Sequence, residues 1–323
     1  MNRASSLLAL LAVAACSRTP APAGEPGAAK PDADPAPVAS GNAPPPPTPA
    51  GATDCSTPSG LTCWRFDTPE AAFKHVLATD PLILAIGEAH AQKGSEKLAS
   101  STKRFMDSLL PIVAPKASDI VVELWIPDPT CKKETVRAVA SAQKPVVEAQ
   151  AETNQNEYVT LGVKAKAAGV TPWPLRPTCD ELATVADAGA DAVITMLGYV
   201  KKLTQDKVVQ LVNRNRADAA AGKTMVVAYN GALHNDLMPS AQMKDYSFGP
   251  ELERFAGGRY TELDIIVPEY VKKNPSWERL AWYPAFEADR AASKDTTKTT
   301  LYLVGDKSYT LVFPASPPSE KPH

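Results

Sequence analysis

A chain of 323 residues, 44% of them apolar, has enough material for one large domain or two small ones, and composition alone decides neither. A net charge of -2, with no basic stripe interleaved with aromatics, excludes a general affinity for nucleic acid. The 31 prolines crowd toward the N-terminus, which divides the chain into a solvated lead and a globular remainder.

Arg3 is a short basic start, Leu7 to Val13 an apolar run too short to span a bilayer, and Val13-Ala14-Ala15-Cys16 closes it with small residues. This segment, residues 1–16, resembles the lipobox of bacterial lipoproteins. The resemblance implies cleavage before Cys16, acylation of Cys16, and a lipid anchor in the cell envelope, periplasmic or outer-membrane. Residues 17–54 have the Ala/Pro composition of a disordered tether, and residues 55–323 read as a single domain. Export places the four remaining cysteines in an oxidising compartment. Cys55 and Cys63 bracket a Pro-Ser-Gly turn, and Cys131 and Cys179 each follow a strand end, so pairs 55–63 and 131–179 are expected. Their spacings do not suit structural zinc.

In chain order, Thr68-Pro69-Glu70 opens a helix to about Leu77, with His75 on its surface and no evident partner. The run Leu82 to Ile86 predicts a buried strand that ends in Gly87-Glu88-Ala89-His90. Ser95 is the expected N-cap of a helix whose Leu98, Thr102, Phe105, Leu109 and Ile112 form one stripe. Ile120 to Trp125 predicts a central strand interrupted by Glu123, a carboxylate that needs a cation, a hydrogen bond or a ligand close by. Lys132 to Ala168 reads as helix with a break near Thr153 to Asn156, followed by a short strand that ends at Arg176. Thr178 and Glu181 form a capping box, and helix continues to about Ala221 with a break expected near Thr204. Within it Val208, Leu211, Asn215 and Ala219 share a face beside Arg214, so this helix is expected to turn polar groups inward. Thr224 to Asn230 predicts a strand running into Gly231-Ala232-Leu233-His234, with Tyr229 just before the glycine. A strand within Tyr260 to Pro268 and a hairpin of Leu301 to Val304 with Tyr309 to Phe313 complete an α/β fold with a mostly parallel central sheet flanked by helices.

Two of the 4 histidines therefore occupy equivalent places, each three residues after a glycine at a strand end. Ligands of open α/β sheets bind outside the carboxyl ends of the strands, where Glu88, His90, Glu123, Arg176 and His234 all fall. Two chemistries are open to this set. It can bind a divalent metal such as zinc or manganese, or it can work without one, with a histidine as general base and Arg176 or Arg214 stabilising an oxyanion.

Gly87-Glu88-Ala89-His90, Glu123, Arg214-Asn215 and Gly231-Ala232-Leu233-His234 resemble, in type and order, the superfamily of haem-binding-uptake ChaN, TraB/Tiki and erythromycin-esterase proteins, over roughly Thr68 to Pro268. The esterase branch implies hydrolysis of a small-molecule substrate by the first-motif Glu and His without a metal. The Tiki branch implies a metal-dependent peptidase, and the ChaN branch implies haem bound through His and Tyr, here Tyr229. The strand-end placement and this resemblance together make Glu88, His90, Glu123 and His234 the expected catalytic residues, with Arg176, Arg214, Asn215 and Tyr229 contacting substrate. A hydrolase of an ester or amide bond is the leading expectation, ahead of haem capture and of metal-dependent proteolysis.

Overall fold

A computed structural model describes residues 46–55, 60–218, 222–292 and 295–317. The expected signal segment, Cys16 and most of the tether lie outside the described residues. The last part of that tether is not solvated coil: Ala52–Asp54 forms strand β1, paired antiparallel with β2 (Cys63–Phe66). Pairing with a neighbouring strand satisfies a backbone whose composition alone predicts no structure.

Five further strands follow the sequence expectation closely: β3 (Ile83–Glu88), β4 (Ala117–Trp125), β5 (Thr171–Leu175), β6 (Met225–Gly231) and β7 (Tyr260–Ile266). The C-terminal hairpin, β8 (Thr299–Gly305) and β9 (Ser308–Val312), is antiparallel as expected. All nine join one sheet in the order β1-β2-β8-β9-β7-β3-β6-β4-β5. The stretch from β9 through β5 is parallel, and β8, β2 and β1 extend it as an antiparallel wing. β5 carries Pro172 and Pro174 and stands at the edge, where missing N–H donors cost least.

Alternation along β3 sends Leu84, Ile86 and Glu88 to one face and Ile83, Ala85 and Gly87 to the other. On the first face the core includes Ile120, Val122, Val227 and Tyr229, covered by α1 (Pro69–Leu77), by the helical run of residues 101–113, and by α5 (Asn154–Ala167). On the second, Val121, Val226, Ala228 and Tyr260 pack under α7 (Ala192–Ala217) and α8 (Gly249–Ala256). A satellite cluster of Val139, Leu182, Val185 and Met196 joins α4 (Lys133–Val147) and α6 (Cys179–Asp187) to α7. The Cys131–Cys179 disulfide closes this satellite, and Cys55 is bonded to Cys63, so both expected pairs are present.

Three local expectations are corrected. Ser95 belongs to a turn, its amide and hydroxyl both donating to the Gln92 carbonyl, and the N-cap is Ser100, which accepts from the Lys103 amide. The helix it opens (α2, Ser101–Arg104) widens into a π turn over Phe105–Leu109 before Leu110–Val113 (α3), just ahead of Pro111, which has no N–H for the regular ladder. The long helix is interrupted at Gly189, whose φ of +56° leaves the helical region, and not at Thr204. Thr204 is buried inside α7 and accepts the side-chain amide of Asn230. His75, finally, does have partners: its ring packs 5.1 Å from Trp64 and close to Phe66 and Tyr309, and burial lowers its pKa.

Candidate active site

β3 and β6 are parallel neighbours in a register that sets Glu88 opposite Gly231. The two Gly-x-x-His motifs therefore leave the sheet side by side, offset by one residue.

Glu88 is the last residue of β3 and is 2% exposed. A carboxylate in that position is tolerable only when its lone pairs are satisfied, and here four donors converge on it. Tyr158 of α5 donates to Oε1 at 2.5 Å and His90 Nδ1 lies 2.9 Å from the same oxygen. Tyr229 donates to Oε2 at 3.2 Å, and the Thr102 hydroxyl donates to that oxygen as well. Burial pushes the Glu88 pKa up, but the His90 hydrogen bond and charge, joined by Thr102 and Tyr158, outweigh it and leave the pKa below the ordinary 4.5. Burial and the Glu88 charge push Tyr158 and Tyr229 well above 10, so both stay protonated donors.

An ionised Glu88 fixes the tautomer of His90. Nδ1–H faces the carboxylate, so Nε2 is the working nitrogen. It points at Gly231, where an added Cβ would stand 3.0 Å from it. The His90 ring is 20% exposed, against 3% for the Glu88 side chain, so the base reaches solvent while its anchor does not. Burial opposes charge on His90; the Glu88 hydrogen bond and the carboxylates of Glu88 and Glu123 outweigh it and raise the pKa above 6.5.

Also at Gly231, Glu123 Oε2 accepts the Gly231 amide at 2.8 Å, and its Oε1 lies 3.8 Å from His234 Nε2. This is the hydrogen bond that the interrupting carboxylate on β4 required. His234 is 2% exposed and its Nδ1 is 2.8 Å from the Tyr246 carbonyl, which can only accept. Nδ1 of His234 therefore carries a proton, and Nε2 faces Glu123. When His234 is neutral, the group able to bridge the two must donate hydrogen, as water or a substrate N–H or O–H does; when protonated, His234 itself is the donor.

Not every residue expected at the site is there. Glu88, His90, Glu123 and His234 come together around Gly231. Tyr229 is behind them, fully buried, with its hydroxyl committed to Glu88 and Thr102 rather than turned toward a ligand. Arg214 and Asn215 are at the opposite end of the sheet: they bind the buried Asp119, with Asn215 also donating to Ser118. Asp119 precedes Glu123 by four residues on β4, roughly 13 Å along the strand. The expectation of inward polar groups on α7 is met, but they hold a structural carboxylate. Arg176 is exposed in a recess lined by Asp128, Thr130 and Thr178, and no contact among the described residues joins it to the two histidines. Conversely, Tyr158 was not legible from sequence. It lies 70 residues from Glu88, on a helix whose sequence has little apolar periodicity, and no local motif marks it. Thr102 was visible as one position of an apolar stripe, without its hydroxyl role.

Among the described residues, no three His, Cys, Asp or Glu side chains are grouped so as to hold a metal ion. No helix among them is long and apolar enough to cross a membrane. No family model matches the chain, and no curated protein or solved structure shows significant similarity to it.

Proposed function

We propose that the chain is an envelope hydrolase of ester or amide bonds, tethered through Cys16, in which His90 is the general base. The observation that carries this reading is the orientation of His90: Nδ1 is held by the four-donor Glu88, and Nε2, on a ring that is 20% exposed, is directed at Gly231. A water at Nε2 gives its proton to His90 as its oxygen attacks the carbonyl carbon. Glu88 stabilises the imidazolium so formed without taking the proton. His234, held through Nδ1 by the Tyr246 carbonyl and facing Glu123 through Nε2, completes the site beside the base and positions a hydrogen donor of the substrate or of water between itself and Glu123. Collapse then breaks the bond to the leaving group, which takes the proton back from His90. The similarity in type and order to the esterase branch points the same way.

The haem reading is weaker, because Tyr229 is enclosed and bonded and would have to leave Glu88 to serve as an axial ligand. The metalloprotease-like reading loses one objection: Arg176 and Arg214, cations that would compete with a dication, are not at the site. Its requirement is that His90 Nε2, His234 Nε2 and Glu123 close on one point, and elemental analysis of protein purified without chelators addresses it. The hydrolase reading expects less than about one equivalent of tightly held zinc or manganese.

The deciding experiment is a panel of ester and peptide substrates presented to the full chain bearing Cys16→Ser, beside the same chain with His90→Ala. Turnover that His90→Ala removes is the expected result. Absent turnover, or turnover equal in both proteins, overturns the reading; a Soret shift on haem titration that His90→Ala abolishes would put haem capture in its place.

A further inference from the structure

Glu123 and His234 face each other as two acceptors. Glu123, near the carboxyl end of β4, commits Oε2 to the Gly231 amide at 2.8 Å and turns Oε1 to His234 Nε2 at 3.8 Å. His234 gives its Nδ1 proton to the Tyr246 carbonyl, so the neutral ring offers Nε2 only as an acceptor. Its backbone is fixed as well, the amide donating to the Gly231 carbonyl and the carbonyl accepting the Phe248 amide, each at 2.9 Å. A separation of 3.8 Å is too long for a direct hydrogen bond. One nitrogen or oxygen about 2.8 Å from both acceptors would see them at about 85°, an angle that a tetrahedral atom with two hydrogens can serve. A group with a single hydrogen, such as a secondary amide or a hydroxyl, meets one acceptor and leaves the other unmet.

Water and a primary ammonium both carry the hydrogens, and charge selects between them. The carboxylates of Glu88 and Glu123 have His90 and His234 as their ion-pair partners. With both rings neutral, the state in which His90 is a base, these four side chains hold two negative charges and no positive one. Glu88 is met by four donors, whereas Glu123 is met by the Gly231 amide, so a cation gains most at Glu123. The Glu123 side chain is 16% exposed and that of His234 3%, so a ligand reaches the pair past the carboxylate. A Cβ on Gly231 would stand 3.0 Å from His90 Nε2 and 3.7 Å from Glu123 Oε2, which places base and carboxylate across one bare glycine. A cation held by Glu123 is thus close to the carbonyl that the water on His90 attacks.

We propose that Glu123 Oε1 and His234 Nε2 together bind a primary ammonium group of the substrate beside the bond that breaks, so that the substrate class is an aminoacyl ester or a peptide with a free N-terminus. The bond cleaved rests on the hydrolase reading; the ammonium site rests on the two facing acceptors and is read by binding alone. The second hydrogen makes the site selective. A tertiary ammonium keeps the charge but has one hydrogen, and an acylated amine loses the charge as well. Glu123→Gln tests the pairing directly: its oxygen can keep the Gly231 amide while its own N–H meets His234 Nε2, which supplies from the protein what the ammonium would bring.

The test has a binding arm and a turnover arm, both on the full chain bearing Cys16→Ser. In the first, calorimetry at about pH 7, where an α-amine is largely protonated, compares leucinol, its N,N-dimethyl form and the same alcohol without its amine, none of which has a bond to hydrolyse. Leucinol should bind about 10- to 100-fold more tightly than either, and Glu123→Gln should remove the difference. In the second, a leucyl ester is compared with the N-acetyl-leucyl ester of the same alcohol. The free-amine ester should have the higher kcat/KM by a similar factor, carried mainly by KM, and the ratio should collapse in Glu123→Gln. Equal binding of the three alcohols, or a preference undiminished in Glu123→Gln, overturns the ammonium site whatever the esters do. Selective binding of leucinol without turnover of any ester keeps the site and overturns the hydrolase reading, whereas turnover of both esters at equal kcat/KM does the reverse.

Discussion

At the scale of single residues, the candidate site depends on how firmly one carboxylate is held. Glu88 is ionised inside the protein because four donors meet it, and that charge both orients His90 and raises its pKa. Glu88→Gln removes the charge and the Nδ1 acceptor strength together. The expected outcome is a kcat/KM lower by about 10²-fold or more. Activity that needs neutral His90 should rise with pH through the raised His90 pKa, and in Glu88→Gln that rise should move to lower pH; a purely structural role for Glu88 would leave the profile in place. The linkage to stability has a definite sign. His90, raised in the fold, contributes stability that is present below 6.5 and lost as pH rises through its folded value. Glu88, lowered in the fold, contributes stability present above 4.5 and lost as pH falls through its folded value. Their joint contribution is therefore complete between those two pH values, and denaturant unfolding of wild type against Glu88→Gln at pH 3, 5.5 and 8.5 should show the largest difference at the middle value. Tyr158→Phe leaves Oε1 short of one donor, and should cost about 1–3 kcal/mol in the same assay, the penalty of an under-satisfied buried acceptor.

At the scale of elements, the two motif glycines serve different ends. Gly231 faces His90 Nε2 at 3.0 Å and Glu123 at 3.7 Å from its virtual Cβ, both of them side-chain atoms able to shift. Gly231→Ala should fold, and should reduce turnover by occupying the position where water meets the base. Gly87 would drive its Cβ into the backbone of Ala232 at 2.6 Å as well as into two fixed oxygens. Gly87→Ala should therefore be strongly destabilising, and comparison of the two variants by circular dichroism melting and by turnover separates them. An outcome in which Gly231→Ala keeps full turnover would place the reacting water elsewhere. A sequence motif treats both glycines alike, and only the neighbouring strands make one of them permissive.

At the scale of the whole molecule, the expected anchor and the folded domain make separable predictions. Cells given a fatty-acid analogue should label the chain through Cys16, and Cys16→Ser should lose the label; persistence of label would contradict the lipoprotein reading. The alternation of strands and helices, the buried runs of β3 and β6, the capping box at Thr178 and both disulfide pairs were all legible in the sequence, because each follows from local pattern or from short chain segments that must meet. So was the core of the site, since Glu88, His90, Glu123 and His234 all sit where strands end. What sequence could not decide was which strand ends are neighbours and which side of the sheet a helix residue faces. Arg214 and Asn215 point inward as their stripe implied, yet they meet Asp119 at the amino ends of the strands, because α7 runs antiparallel to the sheet it covers and carries its last turn to that edge. Tyr158 reaches Glu88 only because α5 is packed across the first face. Local pattern determines elements and their buried faces; the side-by-side placing of β3 and β6, which turns two separate motifs into one site, is a property of long-range pairing alone.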